Sequence, residues 1–316
     1  MRLLSSIVFS AALLFAQSKT APSPGDESSP TFRTDTRLVI LPVSVADKNG
    51  HLVTNLTQQN FKVFENGAEQ PIKVFKREDV PVSLGIIIDN SGSMREKRLK
   101  VETAALDLVK ASNRQDEVFI VNFNDEAYLD VEFTNDLKKL EEGVARIDSR
   151  GGTALRDAVS MSIDYLKEKG KKDKKVLLVV TDGNDTASAG TLEKLVDKAR
   201  QSEVLIFSIG LLNEEERGEA KKAKRALDAI THESGGLSFY PKELTEVDRV
   251  ALDVAHEIRN QYTIAYSPIV QTLDGSFRQI KVTVNGPGRP IARTRTGYYA
   301  TPDKPGRKAV AATGSN

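Results

Sequence analysis

Cysteine and tryptophan are both missing from the 316 residues, and histidine occurs three times. Without cysteine there are no disulfides, no cysteine-ligated zinc and no residue to carry the lipid of a bacterial lipoprotein. The histidines are His51, His232 and His256. His256-Glu257 opens like a zincin helix, but the position for its second histidine is Asn260, and His232 in T-H-E-S-G-G suits a helix end. No G-x-S-x-G elbow and no G-x-x-x-x-G-K-S/T loop occurs. The lack of tryptophan weakens a case for stacking on carbohydrate. A net charge of +1, from 45 basic and 44 acidic residues, argues against bulk nucleic-acid binding. No apolar run is long enough for a comfortable transmembrane helix. The amino-terminal M-R-L-L-S-S-I-V-F-S-A-A-L-L-F-A-Q-S, with small residues at Ala16 and Ser18, reads instead as a cleaved export signal over 1–18. An exported chain without cysteine fits a bacterial periplasmic or secreted protein better than an animal extracellular one.

What is present converges on one point. I-I-I-D-N-S-G-S-M at 86–94 is an apolar run that ends in Asp89, Ser91 and Ser93. Such a run reads as a strand buried on both faces, so the three polar residues emerge at its carboxyl end, where open α/β sheets place their ligands. R-G-G-T-A-L at 150–155 adds Thr153, and K-V-L-L-V-V-T-D-G at 175–183 is a second buried strand ending in Asp182. Two carboxylates and three hydroxyls make an all-oxygen set. That set favours the hard cations Mg²⁺ or Mn²⁺, with Ca²⁺ as a further candidate, over zinc or copper. Its low ligand charge leaves an ion with positive character and an open position for an acidic group. Taken singly each motif is ordinary, because Asp or Ser after a strand is a common helix cap and T-D-G a common turn. Their joint occurrence carries the assignment.

D-N-S-G-S, G-G-T and T-D-G, in that order, resemble the metal-ion-dependent adhesion site of von Willebrand factor type A domains. The resemblance implies that Ser91, Ser93 and Thr153 ligate Mg²⁺, that Asp89 and Asp182 hold it directly or through water, and that a partner protein's Glu or Asp completes the shell. Small Gly92, Gly151, Gly152 and Gly183 would let the loops approach the ion. The wider layout, with V-F-E-N-G before the site and Q-Y-T-I-A-Y-S-P and R-T-G-Y-Y-A after it, resembles exported type A-related proteins of Acidobacteria.

The rest of the chain organises around that site. Residues 19–30 form a Pro/Ser-rich linker predicted to be disordered, as is the tail 301–316. Residues 31–80 read as an N-terminal β unit with a turn at Asn66-Gly67. Residues 82–260 alternate strand and helix as a doubly wound, mostly parallel sheet with helices on both faces requires. Strands are predicted at 83–89, 117–123, 127–133, 175–181, 204–210 and near 237–240, and helices at 95–112, 136–147, 154–169, 191–202, 218–233 and 243–260. Asn124-Asp125-Glu126 is too short for a crossover, so one of the strands it joins must run antiparallel. The resemblance implies strand order 3-2-1-4-5-6. Residues 261–300 return to three β segments, which the first β unit would complete as one sandwich-like unit, with Tyr262, Tyr266, Tyr298 and Tyr299 as core or cross-strand pairs.

Arg95, Lys97, Arg98 and Lys100 follow the site, and Arg150 precedes Gly151. They read either as a solvated basic face or as a rim that steers an acidic partner to the metal. A catalytic alternative is a haloacid-dehalogenase-like phosphatase, for which Asp89, Asp182 and Asp185 imitate nucleophile and metal motifs. That reading lacks a general acid, because the position two after the nucleophile is Ser91. A third reading is a structural envelope protein with a vestigial site. The expectation is therefore a non-enzymatic, metal-dependent protein-binding or adhesion module.

Overall fold

The computed structural model describes residues 38–145, 149–212 and 217–302. The expected export signal, the linker and all but the start of the tail lie outside these residues. Within them, a six-stranded sheet is built from β5 (Val82–Asp89), β6 (Glu117–Phe123), β7 (Ala127–Thr134), β8 (Lys174–Thr181), β9 (Leu205–Gly210) and β10 (Ser238–Phe239). Its order is β10-β9-β8-β5-β6-β7, which is the implied order read from the other edge. All neighbours run parallel except β6 and β7, which are antiparallel, as their short connection demands.

Every residue of β5 is buried, because helices cover both faces of the sheet. Leu84, Ile86 and Ile88 face a core shared with α1 (Arg98–Lys110), α2 (Leu137–Val144) and α6 (Val247–Arg259). Ile87 faces a second core with α3 (Leu155–Lys169), α4 (Leu192–Ser202) and α5 (Arg217–Ser234). Gly85 is forced on that second face: a Cβ there would lie 2.3 Å from the ring of Phe119. The period-2 alternation of a strand thus distributes one apolar run between two cores.

α1 starts at Arg98, later than predicted, because Gly92–Met94 form a 3-10 turn whose Met94 is fully buried. The chain uses 91–97 to turn its hydroxyls towards β8 before the helix begins.

Strands from the two flanks pair with one another. β1 (Val39–Ala46) and β4 (Ile72–Lys76) sandwich β11 (Tyr262–Tyr266), with β13 (Ile291–Arg293) at the edge beyond β1. β2 (Phe61–Glu65) and β3 (Ala68–Gln70) form a second sheet with β12 (Phe277–Val284) and β14 (Gly297–Tyr299). Both sheets contribute to one core that includes Leu41, Val63, Tyr262, Ile264, Tyr266 and Tyr298. Tyr266 and Tyr298 donate to the buried Glu65 carboxylate at 2.7 and 3.0 Å. Asn66 and Gly67 turn β2 into β3 with φ of 48° and 83°, the left-handed pair that an Asn-Gly hairpin supplies. The last predicted segment is two strands rather than one. It is divided at Thr294–Thr296, where Arg295 reaches the Ile40 carbonyl and Glu203 and the chain crosses between sheets.

Candidate metal centre

β5 has β6 on one side and β8 on the other, so the chain leaves it in one direction and returns on the other side. A crevice opens outside the carboxyl ends of strands at such a switch point. Asp89, the last residue of β5, sits there 1% exposed. Its Oδ1 accepts from the Ser91 backbone N–H at 2.8 Å, and its Oδ2 accepts from the Thr181 hydroxyl at 2.6 Å. Ser91 Oγ lies 3.1 Å from Ser93 Oγ, and Ser93 Oγ donates to Asp182 Oδ1 at 2.8 Å. Four of the five expected donors are thereby joined in one continuous network.

Thr153, the fifth, stands on the turn that opens α3. Backbone hydrogen bonds dock this turn on the first loop: Arg150 N–H donates to the Asn90 carbonyl at 2.9 Å and Gly92 N–H to the Gly151 carbonyl at 3.2 Å. Thr153 N–H donates to the Thr186 hydroxyl at 3.0 Å, and its carbonyl accepts from the N–H groups of Thr186 and Ala187. Thr153 is buried. Asp125, in the β6–β7 turn, supports the turn from below by accepting from Gly152 N–H at 2.7 Å. Gly151 has φ +74°, and a Cβ there would lie 2.1 Å from Asp125 Oδ2. The close approach that requires glycine is therefore at 151 and 152, against Asp125, whereas a Cβ at Gly92 would come no nearer than 3.7 Å and one at Gly183 would meet nothing.

Burial pushes the Asp89 carboxyl up to about 6. Hydrogen bonds from Thr181 and Ser91 pull it back, and the neighbouring Asp182 charge adds to the rise. Asp182 already takes a cation: the Lys97 ammonium is hydrogen-bonded to its Oδ2. This stand-in charge, together with an oxygen-only donor set, fits a hard cation. Among the described residues no group of three or more His, Cys, Asp or Glu is placed to hold a metal, so a centre here depends on its hydroxyls.

The sequence left several partners unread. Thr181, Thr186 and Asp125 shape the site through contacts with residues distant in the chain. Asp185 accepts from the Arg156 backbone and guanidinium at 2.7 and 2.8 Å and from the Ser188 hydroxyl at 2.6 Å, while Asn184 donates to Glu219. The basic residues divide between the two earlier readings. Lys97 is on Asp182, Arg98 on Glu102 and Lys100 on Asp248, whereas the Arg95 guanidinium, among the described residues, donates to the Ser149 carbonyl at 3.3 Å.

Comparison with known proteins follows this geometry. Residues 84–184 match the family model of the von Willebrand factor type A domain. Over 170 residues the chain is 26% identical to calcium-activated chloride channel regulator 1 of Mus musculus, a match covering 50% of this chain and 17% of that protein. The chain thus spans less than a fifth of the length of this curated relative. Among solved structures, the PilB minor pilin of Streptococcus sanguinis aligns at 14% identity and TM-score 0.47, covering 60% of this chain and 63% of the other. The vWF domain of the type V pili tip protein Mfa5 from Porphyromonas gingivalis aligns at 12% and 0.47, covering 57% and 97%. Proximal thread matrix protein 1 from the mussel byssus, with a zinc-occupied MIDAS motif, aligns at 15% and 0.48, covering 62% and 50%. At these values the structural likeness is loose.

Proposed function

We propose that the chain, whose residues 84–184 match the von Willebrand factor type A family model, is a metal-dependent protein-binding or adhesion module that captures an acidic side chain of a partner protein. The observation that carries this reading is the single network of Asp89, Ser91, Ser93 and Asp182 at the switch point, with Thr153 on the loop docked against it. Bound there, Mg²⁺, or Mn²⁺ or Ca²⁺ in its place, supplies a positive centre with an open position for a partner's carboxylate. Asp89 and Asp182 supply the charge that holds a cation. Ser91, Ser93 and Thr153 supply neutral oxygens, which leave that cation unneutralised and therefore attractive to a further acid. Burial of Asp89 and of Thr153 keeps water away from the base of the site and strengthens each electrostatic contact there.

We assign no catalytic residue. The phosphatase alternative needs Asp185 as a metal ligand, and its carboxylate is occupied by Arg156 and Ser188. The export signal expected at 1–18 and the resemblance of the sequence motifs to exported acidobacterial proteins support a module that works in the periplasm or outside the cell. No helix among the described residues is long and apolar enough to cross a membrane.

Calorimetric titration of the protein with Mg²⁺ and Mn²⁺, with and without concentrated acetate as a surrogate carboxylate, tests the reading. One saturable site is expected, tightened by acetate and lost in Asp182→Ala and Ser91→Ala. Absence of binding in both conditions would favour a vestigial site in a structural protein.

A further inference from the structure

Beside the proposed metal site lies a cleft of about 440 Å³ lined by Arg95, Arg98, Ser149 and Arg150. Its charge is lopsided. Arg98 is paired with Glu102 through its Nε, but Arg95 and Arg150 make no ion pair with any described carboxylate. Ser149 is 6% exposed, and its Oγ is fully buried without a hydrogen-bond partner. A buried hydroxyl left unpaired is costly, and natural structures rarely keep one unless a ligand or water completes it. Guanidinium groups flanking an orphan hydroxyl match one chemistry, a planar or tetrahedral oxyanion, because the arginine fork takes two oxygens at once while the hydroxyl donates to a third lone pair.

The cleft is also tied to the metal loops. The Arg150 N–H donates to the Asn90 carbonyl, and the Arg95 N–H donates to the Gly92 carbonyl. An oxyanion seated on these arginines therefore lies alongside the serine and threonine donors, on the same face of the domain. We propose that this cleft is an oxyanion subsite that takes a second acidic side chain of the same partner whose first acid reaches the metal. The partner's recognition element is then a pair of carboxylates, not one. This assignment of the partner rests on the function proposed above, while the oxyanion subsite itself does not.

The test separates the two. In EDTA, with no divalent cation, inorganic phosphate is titrated into the full chain and followed by calorimetry and amide NMR shifts. One saturable site is expected, with shifts centred on Arg95, Ser149 and Arg150, weakened at least about tenfold in the Arg95→Ala/Arg150→Ala double variant and retained in Asp182→Ala. Ser149→Ala controls for folding. It removes an unpaired buried hydroxyl, so its melting temperature without phosphate should equal or exceed that of the natural protein while phosphate affinity falls. In Mg²⁺, a peptide with two glutamates separated by one glycine should bind at least about tenfold more tightly than the same peptide with one glutamate changed to glycine, and the double variant should abolish that advantage without altering Mg²⁺ affinity. No phosphate binding in EDTA overturns the subsite. Phosphate binding without any advantage for the two-acid peptide overturns the partner assignment and identifies a site for free phosphate. Phosphate binding in a protein that binds no metal retains the subsite and sinks the function proposed above.

Discussion

The two ends of the α/β domain use the same polar chemistry in opposite ways. At the carboxyl ends of β5 and β8, Asp182 takes one ammonium, that of Lys97, and the Ser93 hydroxyl, while Asp89 is answered by the Thr181 hydroxyl and the Ser91 backbone N–H alone. At the other end, where β4 leads into β5 and α6 into β11, Asp79, Asp116 and Glu257 each meet a guanidinium. Arg259 pairs with Asp116 and, at 2.8 Å, with Asp79, and it also donates to the Val80 carbonyl. Arg293 pairs with Glu257, Arg77 donates to Asn260, and the Lys174 ammonium donates to the Ile258 carbonyl. One end is a seam between the α/β sheet and the β strands on its flanks. At the other, the two acids are met by one cation and otherwise by neutral donors.

The comparison breaks most visibly at Arg259. Its replacement by alanine leaves Asp116 charged and buried, with burial already pushing that carboxyl up. A loss of about 3–5 kcal/mol of unfolding free energy in urea is expected, whereas Asp182→Ala at the open end is expected to cost about 1 kcal/mol. Equal costs at the two ends would erase the distinction.

Lys174 sharpens the contrast through pH. Burial, reinforced by the nearby Arg259 charge, lowers its ammonium to about 7, against the pull of Asp79, Glu257 and Asp116. Between pH 7 and the unfolded value of about 10.4 the unfolded chain holds the extra proton, so this residue's contribution to stability rises with pH across that window. Below pH 7 the folded protein carries the buried cation at full cost. The stability of the natural protein minus that of Lys174→Met, measured by urea unfolding, should therefore grow by about 2–4 kcal/mol from pH 7 to pH 10. A flat difference would mean that the seam solvates this ammonium.

A similarly small effect on stability is expected at Asp125. Its replacement by alanine removes the acceptor for Gly152 N–H and should cost about 1 kcal/mol in unfolding. Because the turn it props carries Thr153, Mn²⁺ affinity measured by calorimetry should nevertheless fall at least about tenfold. A stability loss with unchanged Mn²⁺ affinity would remove Thr153 from the site.

How much of this could be read in advance depends on the range of each interaction. The six strands of the sheet and the antiparallel edge were legible because burial on two faces writes a continuous apolar run, and a three-residue link such as Asn124–Glu126 excludes a crossover. Asp89, Ser91 and Ser93 were legible because one strand end and one turn place them together. Asp125, Thr181 and Thr186 were not, since each is an ordinary residue whose partner is fixed by the fold and not by spacing. The delayed start of α1 escaped for a related reason. Its pattern is helical from Arg95, but Met94 is drawn into the core and the intervening residues turn. The division of the last β segment likewise follows from contacts of Arg295 with Glu203 and the Ile40 carbonyl, far away in sequence.

The central claim is that Asp89, Ser91, Ser93, Thr153 and Asp182 together hold a divalent cation that remains open to an acid. Crystals grown with Mn²⁺ and acetate, measured at the manganese absorption edge, test it most directly. The account predicts one anomalous peak within bonding distance of the Ser91, Ser93 and Thr153 hydroxyls, with an acetate oxygen in its shell and the Lys97 ammonium displaced from Asp182. A site without manganese, with Lys97 still on Asp182, would contradict it.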